Sequence, residues 1–236
     1  MGAQNRESIE QEAEILLDEF RKQFHQQLRL PIPVELIAEL LYKLRLDITN
    51  LGRNAPGKLI LNEKRIVLNS ADGIPRQRFT VAHEIGHICL RHVFFNAESD
   101  RSKSLTTSPK NKKEMEDDAN AFAASLLMPR GLVCESFLRE ILDHKDAKWR
   151  NLVNLKGIRI MAKRGGFRPR LLNQLLRSYI FQNNKGHPTK LKRATLLLSL
   201  IPRIATKFQV SKEALARRVR DLGLIDEFIV QEKQAT

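Results

Sequence analysis

One stretch constrains this chain more than any other: His83-Glu84-Ile85-Gly86-His87, set within the run Arg78 to Arg91. On a helix, residues four apart stack on one face, so both imidazoles reach a single metal ion while Glu84 sits one step round. Two neutral imidazoles suit a borderline cation such as Zn²⁺, and a carboxylate beside them can take the proton of a water that the ion acidifies. The context favours a helix. From Phe79 to Leu90 there is no proline and Gly86 is the one glycine, while Ala82, Ile85 and Cys89 recur at helical spacing on the side away from His83 and His87. The plainer alternative, two histidines packed or solvated on an amphipathic helix, leaves the next segment unexplained.

A catalytic zinc takes three protein ligands and keeps a position open. Four acids, Glu114, Glu116, Asp117 and Asp118, stand in a segment that Pro129 terminates. Ala119, Phe122, Ala123, Leu126 and Leu127 mark its buried face. At about a hundred degrees per residue, Glu116 falls roughly fifty degrees from the centre of that face and the other three acids lie more than about a hundred away. Glu116 is therefore the expected third ligand. The other three read as a solvated helix start favoured by the dipole. Asn120 shares an edge with Glu116 and is placed to accept a hydrogen bond from the free N–H of a ligating imidazole.

Arg78-Phe79-Thr80-Val81-Ala82-His83-Glu84-Ile85-Gly86-His87, then Glu116 with Ala119-Asn120 and Phe122-Ala123, then Leu126-Leu127-Met128-Pro129, resembles the ImmA/IrrE family of metallopeptidases. The resemblance implies a zincin-like domain of the HExxH type with a gluzincin-like third ligand. It implies that His83, His87 and Glu116 bind zinc and that Glu84 is the catalytic base. It further implies a regulatory protease that cuts a helix-turn-helix repressor in a stress response or mobile element. It covers roughly residues 32 to 130, returns near the C-terminus, and departs at Asp118, where a Glu is more usual.

The expected fold class is α+β: a mostly helical peptidase domain over 31–130 with a small antiparallel sheet, then a basic all-α region over 131–236. Residues 8–28 read as an amphipathic helix packed on the peptidase body, started by a capping box of Ser8 and Gln11, so that 1–30 forms an N-terminal segment. A second helix is expected over Val34–Lys43. Strands are expected at Leu46–Thr49, Lys58–Leu61 and Arg65–Asn69, where a sheet edge above the metal helix suits an extended substrate. Residues 96–111 are rich in Ser, Thr, Lys and Asp, as a loop, lid or plain connector would be.

Two cysteines, Cys89 and Cys134, argue against a disulfide framework, and both read as packing residues. The first ten residues are polar and acidic, unlike a secretory signal, and no apolar run is long enough to span a membrane, so a soluble cytoplasmic protein without membrane contact is expected. Net charge is +14, but residues 131–236 hold 22 Lys and Arg against 9 acids, so almost all of the excess lies in the second half. Such asymmetry suits an acidic partner such as DNA, or simply a basic solvated surface.

Within that half, helices are expected at 132–142, 170–181 and from about Thr189, with a breaker at 165–169 and a kink or break at Pro202. Lys156 to Arg170 contains six cations and no acid, a possible phosphate-contacting surface. Residues 204–223 have helix-turn-helix phasing, with Ser211 as cap, Ile204, Ala205, Phe208, Val210, Leu215, Val219 and Leu222 as core, and Arg217, Arg218 and Arg220 outward as candidate DNA contacts. Two functions compete: a zinc endopeptidase, and a DNA-binding regulator whose metal site is structural or inactive. Zn²⁺ is the expected cofactor, although Mn²⁺ or Fe²⁺ also fits two imidazoles and a carboxylate.

Overall fold

The computed structural model describes residues 3–25, 28–53, 55–92, 112–142 and 190–224. The chain divides into two compact units, Met1–Leu127 with Phe208–Val210, and Met128–Lys207 with Ser211–Thr236. The first unit contains α1 (Ala3–Phe24), α2 (Val34–Tyr42), β1 (Arg45–Thr49), β2 (Lys58–Ile60), β3 (Arg65–Asn69), α3 (Ile74–Cys89) and α4 (Lys112–Leu127). An α+β architecture, helical with one small sheet, is what the described residues form.

Helix α1 buries Ile9, Ala13, Leu16, Leu17 and Phe20, a stripe at helical spacing, and packs on α4. It begins at Ala3, so Ser8 is an exposed residue inside the helix and not its cap. Nothing between Gln4 and Glu7 breaks a helix, and the helix therefore runs through the expected start. It ends where His25 turns left-handed at φ 49, before the expected Leu28. Helix α2 stops at Tyr42 in the same way, with Lys43 at φ 55.

The sheet is mixed, not antiparallel as expected. Its order is β1-β3-β2, with β1 parallel to β3 and β2 antiparallel to it. The reason lies in the hydrophobic pattern and the loops. Strand β3 buries Ile66, Val67, Leu68 and Asn69, so it takes the central position. Lys64 turns left-handed in the short β2–β3 connection, whereas residues 50–57 are long enough to carry the chain across β3.

Asn69, 1% exposed, uses its whole side-chain hydrogen-bonding capacity, three bonds on that crossing loop and one on the turn after β3. Its Nδ2 donates to the carbonyls of Gly52 (2.8 Å) and Ala55 (3.0 Å), and its Oδ1 accepts from the amides of Leu51 (3.2 Å) and Ala71 (3.1 Å). Gly57, just ahead of β2, is pressed so close that a Cβ would lie 2.5 Å from the Val67 carbonyl oxygen and 2.9 Å from Thr80 Cγ2.

Helix α3 lies at the centre of the unit, against the sheet, α2 and α4. Its Gln77 side chain donates to the carbonyls of Asn69 and Asp72, both at 3.0 Å. Its buried Arg78 donates to both carboxylate oxygens of Glu35 at 2.8 Å and to the Ile32 carbonyl. Val81, Ala82 and Ile85 are fully buried, so one face of α3 is core.

The second unit contains α5 (Arg130–Leu142), α6 (Lys190–Phe208, apart from its last residue) and α7 (Lys212–Asp221). Buried Glu140 of α5 pairs with Lys207 and, at 3.3 Å, with Arg203 of α6. Helix α6 continues through the exposed Pro202, so the expected break there does not occur. Gln209 is left-handed, and Ser211 caps α7 by accepting from Ala214 N at 3.1 Å.

Arg217 and Arg220 are exposed, but Arg218 does not point outward: it is 7% exposed and its Nε donates to the Met128 carbonyl at 3.0 Å. Position 218 follows Leu215 by three residues and precedes Leu222 by four, which puts it on the buried stripe. The expected loop 96–111, the basic stretch 156–170, the breaker at 165–169 and the helix 170–181 lie outside the described residues.

Asn69→Ala is expected to lower stability by about 2–4 kcal/mol, since four hydrogen bonds at a buried site are lost together. Urea unfolding measures it, and a loss below about 1 kcal/mol would show that the crossing loop holds itself.

Candidate metal centre

Viewed down α3 at about 100° per residue, with His83 at zero, His87 falls near 40°, Thr80 near 60°, Glu84 near 100°, Phe79 near −40° and Gly86 near −60°. Thr80 packs at Gly57 and the Glu84 carboxyl meets the backbone amide of Leu59, so the sheet lies on the positive side, with β2 as its edge strand. Gly86 lies against Phe122 and Ala119, so α4 lies on the negative side. The imidazoles occupy the face between the two.

Gly86 is what lets α4 come near. A Cβ there would meet Phe122 Cδ1 at 3.1 Å, Phe122 Cβ at 3.2 Å and the Ala119 carbonyl oxygen at 3.3 Å. At this separation Glu116 and Asn120 of α4 reach across to α3. His83 Nδ1–H donates to Asn120 Oδ1 at 3.0 Å, which turns the His83 Nε2 lone pair toward His87 and Glu116.

The three donor atoms converge. His83 Nε2 and His87 Nε2 are 2.9 Å apart, His83 Nε2 and Glu116 Oε2 are 3.2 Å apart, and His87 Nε2 and Glu116 Oε1 are 3.7 Å apart. Donors held about 2.0–2.1 Å from a tetrahedral ion stand roughly 3.3 Å from one another, within the range of these separations. Among the described residues, His83, His87 and Glu116 are the group of histidines, cysteines and acids able to hold a metal ion. Two nitrogens and one carboxylate oxygen suit zinc and its first-row neighbours.

Electrostatics prepare the same groups. Burial, and then the positive charge of His83, push the His87 pKa down to about 4, so His87 is a neutral ligand at neutral pH. Burial, and then the charge of Glu116, push Glu84 up to about 7, against the pull of the Leu59 amide. In the metal-free site a carboxyl with that pKa takes up and releases a proton near neutrality.

Not every expectation survives. Glu114 and Asp117 are exposed, but Asp118, expected at the solvated helix start, is 1% exposed. Helix α4 packs on both α1 and α3, so its buried surface is wider than one apolar stripe. Tyr42 is on the far side of α3, its hydroxyl 2.9 Å from Cys89 Sγ. Burial, and then Cys89, raise the Tyr42 pKa, while burial raises Cys89 to about 11, so this thiol is half-buried and unreactive. Cys134 is buried.

Arg76 is 63% exposed and pairs with Asp72 at 3.1 Å. His92 is buried with its ring 5.5 Å from that of His87. A depression lined by Ile15, Asp18, Glu19, Lys22 and Gln23 is on α1 and holds none of the metal-site residues. Sequence reasoning missed the helix crossing at Gly86 and the Leu59 amide. A glycine amid a helical pattern was a usable signal for the first; a backbone contact leaves none.

Residues 47–156 match the peptidase M78 family, described as the IrrE N-terminal-like domain. The chain therefore carries a metallopeptidase-type domain of the ImmA/IrrE family, and the match runs beyond Pro129, where the motif resemblance stopped. No curated protein matches the chain.

Gly86→Leu is expected to overpack the crossing, costing about 1–3 kcal/mol, and to weaken zinc binding at least about tenfold by displacing Glu116. Chelator competition and thermal unfolding check the two effects. A second expectation concerns pH. Because the folded pKa of Glu84 is raised from 4.5 to about 7, the folded metal-free state binds the extra proton, and the resulting stability is lost as pH rises through that window. His87, lowered from 6.5 to about 4, has the opposite sign across much of the same range, so the wild-type profile alone is blunted. The difference between wild type and Glu84→Gln isolates Glu84. It should fall with rising pH by about 1–3 kcal/mol, at roughly 1.4 kcal/mol per pKa unit, and a flat difference in metal-free urea titrations would contradict the raised value.

Proposed function

We propose that this protein is a zinc-dependent endopeptidase of the cytoplasm whose substrate is a helix-turn-helix transcriptional repressor. The observation that carries the reading is the approach of His83, His87 and Glu116 at 2.9, 3.2 and 3.7 Å, with Glu84 next in sequence to a ligand. Bound there, zinc supplies Lewis acidity, polarising the scissile carbonyl and acidifying water.

The chain supplies the rest. Asn120 holds His83 in the tautomer that offers Nε2, and Glu116 adds negative charge and a third donor. Glu84 takes a proton from the attacking water and returns it to the leaving amine. The outer edge of β2 offers backbone groups to an extended substrate segment, holding the scissile bond over α3. The repressor and the cytoplasmic setting rest on the family to which the domain belongs. Among the described residues no single helix is long and apolar enough to cross a membrane.

Glu84→Gln should retain one zinc per chain and lose hydrolysis by about 10²-fold or more, whereas Glu116→Ala should lose zinc affinity as well. Metal content by atomic absorption and cleavage of a purified repressor encoded beside this gene measure both. Undiminished hydrolysis by the Gln variant would reject Glu84 as the base.

A further inference from the structure

Ahead of the metal ligands, the site face of α3 presents three side chains: Arg76, Phe79 and Thr80. The Thr80 hydroxyl is taken up by the Arg76 carbonyl at 3.1 Å, and its methyl packs at Gly57. Arg76 extends into solvent beside Asp72. Phe79 differs from both. It sits one helical turn before His83, its ring centroid 6.2 Å from the imidazole at a tilt of 35°, and it is half-buried, so part of the ring stays open next to the metal ligands.

We propose that Phe79 sets the side-chain preference of this site: the substrate residue flanking the scissile bond on the side of the α3 N-terminus is apolar. The inference rests on the endopeptidase reading and names what that site selects. A peptide laid along the β2 edge alternates its side chains, and those directed toward α3 on this side meet an aromatic surface. An apolar side chain there removes the remaining exposed ring surface from water, whereas a charged one gives up hydration against the ring. His83 and Glu116 belong to the metal-holding group, and His83 Nδ1 is also bound to Asn120 at 3.0 Å, which commits both side chains to the centre itself.

The test uses the full chain with one equivalent of Zn²⁺ and a mixture of random-sequence peptides, with cleavage positions read by mass spectrometry. Wild type should favour apolar over charged residues at one position flanking the cut by about 10- to 200-fold. Phe79→Ala should reduce that preference to within about twofold while zinc affinity, measured by chelator competition, stays the same. Phe79→Leu guards against misfolding of the Ala variant and should keep the apolar preference while shifting it from aromatic to aliphatic residues. If Phe79→Ala retains the preference, or slows cleavage of all peptides equally together with a loss of zinc affinity, Phe79 only supports His83 and the inference falls alone. Zinc-loaded wild type that cuts nothing overturns the endopeptidase reading as well.

Discussion

The contact on which this structure depends is the crossing of α3 and α4 at Gly86. There the Phe122 ring and the Ala119 carbonyl stand 3.1–3.3 Å from where a Cβ would be, so the helices meet as closely as backbone allows. Everything α4 brings to the site depends on that spacing. Glu116 reaches both imidazoles and Asn120 reaches His83 because their helix is held close, and a side chain on either at a greater separation would fall short. The burial of Phe122, Ala119 and Ala123 behind the crossing provides the hydrophobic attraction that keeps it closed.

The other wall is built differently. Strand β2 is only three residues long and sits at an edge, a weak element by itself. It is located by its ends: Gly57 wedged between β3 and Thr80, and the crossing loop fastened by three hydrogen bonds of Asn69. The Leu59 amide consequently meets the Glu84 carboxyl, where it opposes the rise in pKa that burial and Glu116 produce. Packing thus positions the ligands and hydrogen bonding positions the strand beside the base.

The chemistry was legible in the sequence because it is local. His83, Glu84 and His87 announce a helix face by spacing alone, and the apolar stripe of α4 oriented Glu116 and Asn120 toward that face, where the structure places them. Asp118 was misjudged because a stripe on one helix does not reveal that two neighbours cover it. The strand segments were readable to within a residue, but their pairing was not. Alternation identifies a strand without saying which neighbour it takes, and the choice of β3 as centre follows from burial of the folded sheet. Arg218 failed for a related reason, since arginine reads as solvent-facing until a buried carbonyl is known to need a donor.

That last residue bears on the meaning of the positive charge. A cation contributes to an outward field only as far as it reaches solvent uncompensated. Arg218 is engaged with Met128, and Lys207 and Arg203 both pair with Glu140. On the exposed side of α7, Lys212, Arg217 and Arg220 alternate with Glu213 and Asp221, and the bond of Glu213 to its own amide, followed by that to Ser211, lowers its pKa and keeps it ionised. A phosphate backbone approaching α7 would meet two carboxylates among three cations, a weaker footprint than the arginine count suggests. In sequence, the cations of this half gather most clearly from Lys156 to Arg170, six of them without an acid.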